Sequence, residues 1–225
     1  MSDSPRLSGS PAPLLPRRLL QLYAGLVLYG ISSAMLVRAG LGLEPWNVLH
    51  QGLAGRTGLS IGATSVLVGA VVLLLWIPLR QRPGLGTISN VVVFAVSVDA
   101  ALAVMPAPGS LAIRVPLMAA GVALNGVATG LYIAAGFGPG PRDGLMTGLH
   151  RRTGFSVRLV RTVIELTVVA TGFALGGTVG IGTVVYAVAI GPLAQLFLRL
   201  FAVPSAVGHS TVVAAGSPER AILRE

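Results

Sequence analysis

The chain has 225 residues, of which 53% are hydrophobic and only 10% charged. Soluble domains carry about 25% charged residues, so this composition excludes an ordinary water-soluble fold. The absence of cysteine excludes disulfides, thiolate metal sites and a cysteine nucleophile, and all sixteen basic residues are arginine, which excludes Schiff-base lysine chemistry and a P-loop.

Residues 1–18, rich in Ser and Pro and without an apolar period, are expected to form a disordered cytoplasmic tail. An apolar stretch follows over about Leu19–Val37, too long for a signal-peptide core. Five more lie near Ile61–Leu79, Thr87–Met105, Val115–Ala134, Leu159–Gly176 and Thr183–Val203. Each approaches the ~20 residues a helix needs to cross ~30 Å of hydrocarbon. The predicted fold is therefore all-α: a polytopic membrane protein with six transmembrane helices and a second cytoplasmic tail over 204–225. Gly191-Pro192 is expected to kink or break the last helix.

The net charge of +9 suggests nucleic acid until the arginines are placed. With the N-terminus inside, thirteen fall on the cytoplasmic side, and only Arg38, Arg56 and Arg114 fall outside. Short loops of inner-membrane proteins show this bias. The reading is a bacterial cytoplasmic (inner) membrane protein with both termini cytoplasmic, in contact with the lipid bilayer and with no nucleic acid.

The chain is also written twice. Residues 39–60 align with 135–156 at an offset of 96, with eleven of twenty-two positions identical, and Asn47 faces Asp143. The offset continues upstream through Gly30 and Gly126, and downstream through Gly84-Leu-Gly-Thr87 and Gly180-Ile-Gly-Thr183. This gives membrane repeat 1 over 19–106 and repeat 2 over 107–203. Each copy holds three spans, an odd number, so the second enters the membrane in the opposite sense as an inverted repeat.

Each copy carries the same motif between its first and second spans. Gly40 and Gly42, or Gly136 and Gly138, allow a tight turn, and Pro45 or Pro141 suits the first turn of a new helix. Thr57-Gly58 and Thr153-Gly154 end that helix, and Ser60 and Ser156 stand at N-cap positions of the following spans. So short a helix cannot span; it is either interfacial or re-entrant. In the re-entrant reading, the two N-termini aim donors at a ligand near the pseudo-two-fold axis, and Asn47, Asp143, Arg56 and Arg152 are candidate binding residues. Arg56 and Arg152 also fit a plain role as helix-end anchors.

Ionisable groups at membrane depth default to functional candidates. Asp99 has no local partner, and its repeat mate Gln195 is also polar; both are candidate binding residues, the alternative for Asp99 being a structural hydrogen bond. Glu165 has Arg161 four residues before it on the same helical face and is expected to pair with it. Asn90 and Asn125 read as interhelical hydrogen-bonding residues. His50 and His150 fall at non-equivalent motif positions without a carboxylate cluster. No metal, cofactor or catalytic residue is assigned, and no enzyme is predicted.

The run Gly40-Leu-Gly-Leu-Glu-Pro-Trp-Asn-Val-Leu-His-Gln-Gly-Leu, closing with Thr57-Gly-Leu-Ser-Ile-Gly62, resembles the signature of the YczE-like bacterial membrane proteins, grouped with YitT and YyaS. The resemblance covers about residues 19–203. It departs at Asn47, where the family usually has Asp; here that Asp stands in the second copy as Asp143. The resemblance implies membrane placement and supplies no activity. The leading functional expectation is a small secondary transporter or permease for an unidentified small solute, with a homodimer as one way for so small a chain to form a pathway. The alternatives are a membrane scaffold or regulator and, more weakly, a membrane-embedded enzyme acting on lipid.

Overall fold

A computed structural model describes residues 14–202 and contains eight helices. These are α1 (Leu14–Ala39), α2 (Pro45–Thr57), α3 (Ile61–Trp76), α4 (Leu85–Val104), α5 (Leu111–Ala134), α6 (Pro141–Thr153), α7 (Val157–Ala174) and α8 (Ile181–Phe201). The all-helical expectation holds among the described residues. Helix α1 starts at Leu14, so Leu14 to Arg18 are helical, not tail. Pro16 lies in its first turn, where no intrahelical donor is lost. The remainder of that tail, 1–13, and the tail over 204–225 lie outside the described residues.

Helices α1, α4, α5 and α8 are long and apolar enough to cross a membrane. The other two expected spans are shorter: α3 has 16 residues and α7 has 18. Helix α7 also carries Arg158, Arg161 and Glu165, which lower its apolar character. Of the kink or break expected at Gly191-Pro192, no break occurs: α8 runs continuously through both residues. Leu20, Val104 and Val188 point outward among many other exposed aliphatic side chains, as a lipid-facing surface requires.

Helices α1 and α5 pack against each other at the centre, with α4 against α1 and α8 against α5. The short helices cross over: α2 packs on α7, and α6 on α3. Contacts between the copies come in reciprocal pairs. Arg18 donates from Nε to Ala135 O (2.8 Å) and from Nη2 to Gly136 O (3.1 Å), closing the end of α5. Arg114 donates to Ala39 O (2.6 Å) and Gly40 O (2.7 Å), closing the end of α1. Gly86 N–H donates to Phe137 O (2.9 Å), and its mate Gly182 donates to Leu41 O (2.8 Å). All these pairs keep the offset of 96.

The shared motif builds the same turn twice. Gly40 and Gly136 have φ of 59° and 69°, a left-handed geometry that any side chain would strain. Ser60 and Ser156 accept from the backbone of Ala63 and Leu159, capping α3 and α7. Helices α2 and α3 meet at a 113° bend, so together they form a hairpin rather than one straight span.

Candidate functional site

The N-termini of α2 and α6 converge on a cavity of about 310 Å³ in the middle of the molecule. Glu44, Pro45 and Trp46 enter it from one copy, and Gly140, Pro141, Arg142 and Asp143 from the other. Tyr29 of α1, Tyr132 of α5 and Tyr186 of α8 line it, and α7 and α8 contribute Arg161, Glu165 and Gln195. Four acidic residues occur between positions 14 and 202, and three of them line this cavity.

Each charge is held differently. Glu44 is 1% exposed and accepts from Ser33 Oγ (2.7 Å), Tyr29 OH (3.3 Å) and Asn47 Nδ2. Three donors compensate its burial. Arg161 and Glu165 form an ion pair at 2.8 Å, as their spacing predicts. Asp143 accepts one hydrogen bond, from Tyr132 OH at 3.0 Å. Arg142 donates from Nη1 to Tyr29 OH at 3.2 Å, and its guanidinium lies over the rings of Tyr29 (5.9 Å) and Trp46 (5.2 Å). The only ion pair among the described residues is Arg161–Glu165, so Arg142 and Asp143 each face the cavity without an opposite charge in contact.

A ring of hydrogen bonds fixes the walls. Asn125 donates to Ser32 Oγ (2.9 Å) and accepts from Tyr186 OH (3.0 Å), tying α1, α5 and α8 together. Trp76 donates from Nε1 to Pro141 O (3.1 Å) and packs on Gly144, which sets where α6 enters the cavity. Trp46 Nε1 is buried and has no partner among the described residues.

Of the residues singled out in the sequence, Asp143, Gln195, Pro45 and Pro141 line the cavity. Asn47 lies just behind it, fully buried between Glu44 and His50 Nδ1 (3.0 Å). Asp99 lies elsewhere: it accepts from Ser60 Oγ (2.5 Å) and Gly62 N–H (2.8 Å), and its carboxylate covers the start of α3. The partner that the local sequence withheld is thus supplied by α3. Arg56 donates to Leu175 O (3.3 Å) beyond α7, and Arg152 to Pro78 O (2.6 Å) beyond α3. Both hold helix ends, away from the cavity. Gly40, Gly42, Gly136 and Gly138 shape the turns that lead into α2 and α6.

Sequence reasoning did not single out Arg142, Glu44 or the three tyrosines as site residues. They occupy positions where the copies differ: Glu44 faces Gly140, Trp46 faces Arg142, and Tyr29 faces Asn125.

Residues 16–199 match the model of a family of unknown function, DUF6198. An uncharacterized protein of Haemophilus influenzae is 41% identical over 181 residues, covering 80% of this chain and 83% of that one. The uncharacterized membrane protein YczE of Bacillus subtilis is 33% identical over 188 residues, covering 82% of this chain and 85% of its own length. The uncharacterized protein YyaS of the same organism is 24% identical over 180 residues. No solved structure matches. The extent of these matches, with the apolar helices and the motif at 40–62, places the chain in DUF6198, a YczE-like family of membrane proteins whose function is unassigned.

Proposed function

We propose that the protein is a small secondary transporter of the bacterial cytoplasmic membrane. In this reading it is a six-span inverted repeat with both termini inside, and it carries a small polar solute through the cavity between α2 and α6. One observation carries the proposal. Two short helices direct their N-termini into a single cavity that gathers three of the four acidic residues among those described and an arginine with no ionic partner among them. Burying such groups is costly, and inside a membrane protein they mark a ligand or ion pathway.

A difference between the two halves supports the transport reading. Ser65, Gly69, Asn90 and Phe94 of repeat 1 line a cavity of only about 30 Å³. Their mates at the offset of 96, Arg161, Glu165, Tyr186 and Ile190, line the cavity of about 310 Å³. Helix α3 packs along α4, with the Val91 side chain against Gly69, whereas α7 and α8 stand apart around the larger space. One half is closely packed and the other holds the larger space. In an alternating-access carrier, the second state exchanges these two arrangements between the halves.

Thermal unfolding of the detergent-purified protein against a library of small solutes tests the reading, because a ligand stabilises the state it binds. At least one solute raises the Tm of the wild type, and Arg142→Gln abolishes that rise. The same solute enters protein-containing liposomes and not empty ones. Uptake that is equal in Arg142→Gln and wild-type liposomes overturns the site.

A further inference from the structure

Resting on the transport reading, we infer that the solute is a zwitterion of amino-acid size, carrying a carboxylate and an ammonium group. The inference comes from which charges in the cavity are already answered. Glu44 has three donors, and Arg161 and Glu165 answer each other at 2.8 Å. That leaves one cation and one anion: Arg142, whose hydrogen bond goes to Tyr29, and Asp143, whose hydrogen bond comes from Tyr132.

Arg142 presents a planar fork of donors suited to a carboxylate. It stands at the start of α6, where backbone donors and the helix dipole favour negative charge, and α2 brings a second N-terminus to the same cavity. Trp46 Nε1 adds a buried donor with no acceptor among the described residues. Asp143 is the matching receptor for an ammonium. Tyr132 OH bonds it, and the same cavity is lined by Tyr29 and Tyr186, whose phenol oxygens and ring faces accept hydrogen bonds and attract cations.

A simple anion fits poorly, because Glu44, Asp143 and Glu165 all line the space it would fill. A simple cation fits poorly too, against Arg142, Arg161 and two positive helix ends. A zwitterion meets both receptors at once, and about 310 Å³ accommodates a single amino acid.

The test uses wild-type protein in detergent and reads ligand-dependent Tm. The probes are the twenty standard L-amino acids. Each one that binds is repeated as its N-acetyl derivative, which lacks the ammonium, and as its methyl ester, which lacks the carboxylate. Acetate, inorganic phosphate and methylammonium serve as single-charge probes. At least one amino acid stabilises the protein, and both of its derivatives bind at least ten-fold more weakly. Asp143→Asn removes the preference over the N-acetyl form, and Arg142→Gln removes the preference over the ester. The inference is overturned when a single-charge probe or a blocked derivative binds as well as the parent amino acid; binding that Arg142→Gln abolishes then leaves the transport reading standing. Failure of every amino acid overturns the inference as well. If no probe or library solute shifts the wild type, the transport reading falls with it.

Discussion

Gly144→Ala is the most demanding test of the packing that places α6. A Cβ at Gly144 would fall inside the indole of Trp76, which is 1% exposed. The ring must shift, and its Nε1 bond to Pro141 O must lengthen or break. Overpacking costs about 1–3 kcal/mol, and a lost buried hydrogen bond adds about 1 kcal/mol. The sum, about 2–4 kcal/mol, corresponds to a fall in Tm of roughly 5–15 °C for a chain of this size. Shortening the ring should relieve the clash. In Trp76→Leu the cavity itself costs about 3 kcal/mol, but adding Gly144→Ala to that background should cost almost nothing. The coupling between the two sites is then about 2–4 kcal/mol in a double-mutant cycle read by thermal unfolding in detergent. The other copy already uses the exchanged pair: Gly172 stands where Trp76 does, and Val48 where Gly144 does. Additive penalties in the cycle would refute the contact as the device that positions α6.

Further outcomes can be measured in the same way. Arg18→Ala and Arg114→Ala should each lower stability by about 1–2 kcal/mol, since each removes two charge-assisted bonds to the carbonyl end of the facing helix. Their effects should be equal and additive, and a large difference between them would count against the reciprocal arrangement. Asn125→Ala should cost about 1–2 kcal/mol, because Tyr186 OH loses its acceptor and Ser32 Oγ a donor. Asp99→Asn should lower Tm by the equivalent of about 1 kcal/mol through the start of α3, with the solute response of the cavity intact. An unchanged Tm with a lost solute response would instead put Asp99 in the binding site.

Much of the fold was legible because the capping signals are local and repeated. Pro45 and Pro141 open the short helices, Gly58 and Gly154 close them in left-handed geometry, and Ser60 and Ser156 start the next ones. Two prolines are accommodated inside helices. Pro16, in the Ser- and Pro-rich stretch read as tail, sits in a first turn that has no donor to lose, and Pro192 stays inside a continuous α8. Neighbouring helices can re-satisfy the carbonyl that such a proline frees. The site was harder to see for a different reason. Searching for matched positions between the copies finds what both copies need in order to fold: turns, caps, and arginines that close helix ends. The chemistry lies at mismatched positions, 44 and 142 inside the same motif and 29 in α1, where one copy carries charge or a phenol and the other carries Gly, Trp or Asn. Asp99 illustrates the converse. Its partners Ser60 and Gly62 lie on another helix, and no helical periodicity in α4 reveals them.

Transport through the shared cavity requires α2 and α6 to enter from opposite faces of the membrane. The chain has no cysteine, so single cysteines report without background. Positions 55 and 151 are repeat mates, both exposed, and a Cβ at Gly55 meets nothing within 4 Å. With a membrane-impermeant maleimide on intact cells, Gly55→Cys should label and Arg151→Cys should not; in inside-out vesicles the pattern should reverse. Labelling of both positions from the same side would contradict the inverted repeat, and with it the shared cavity as a transport site.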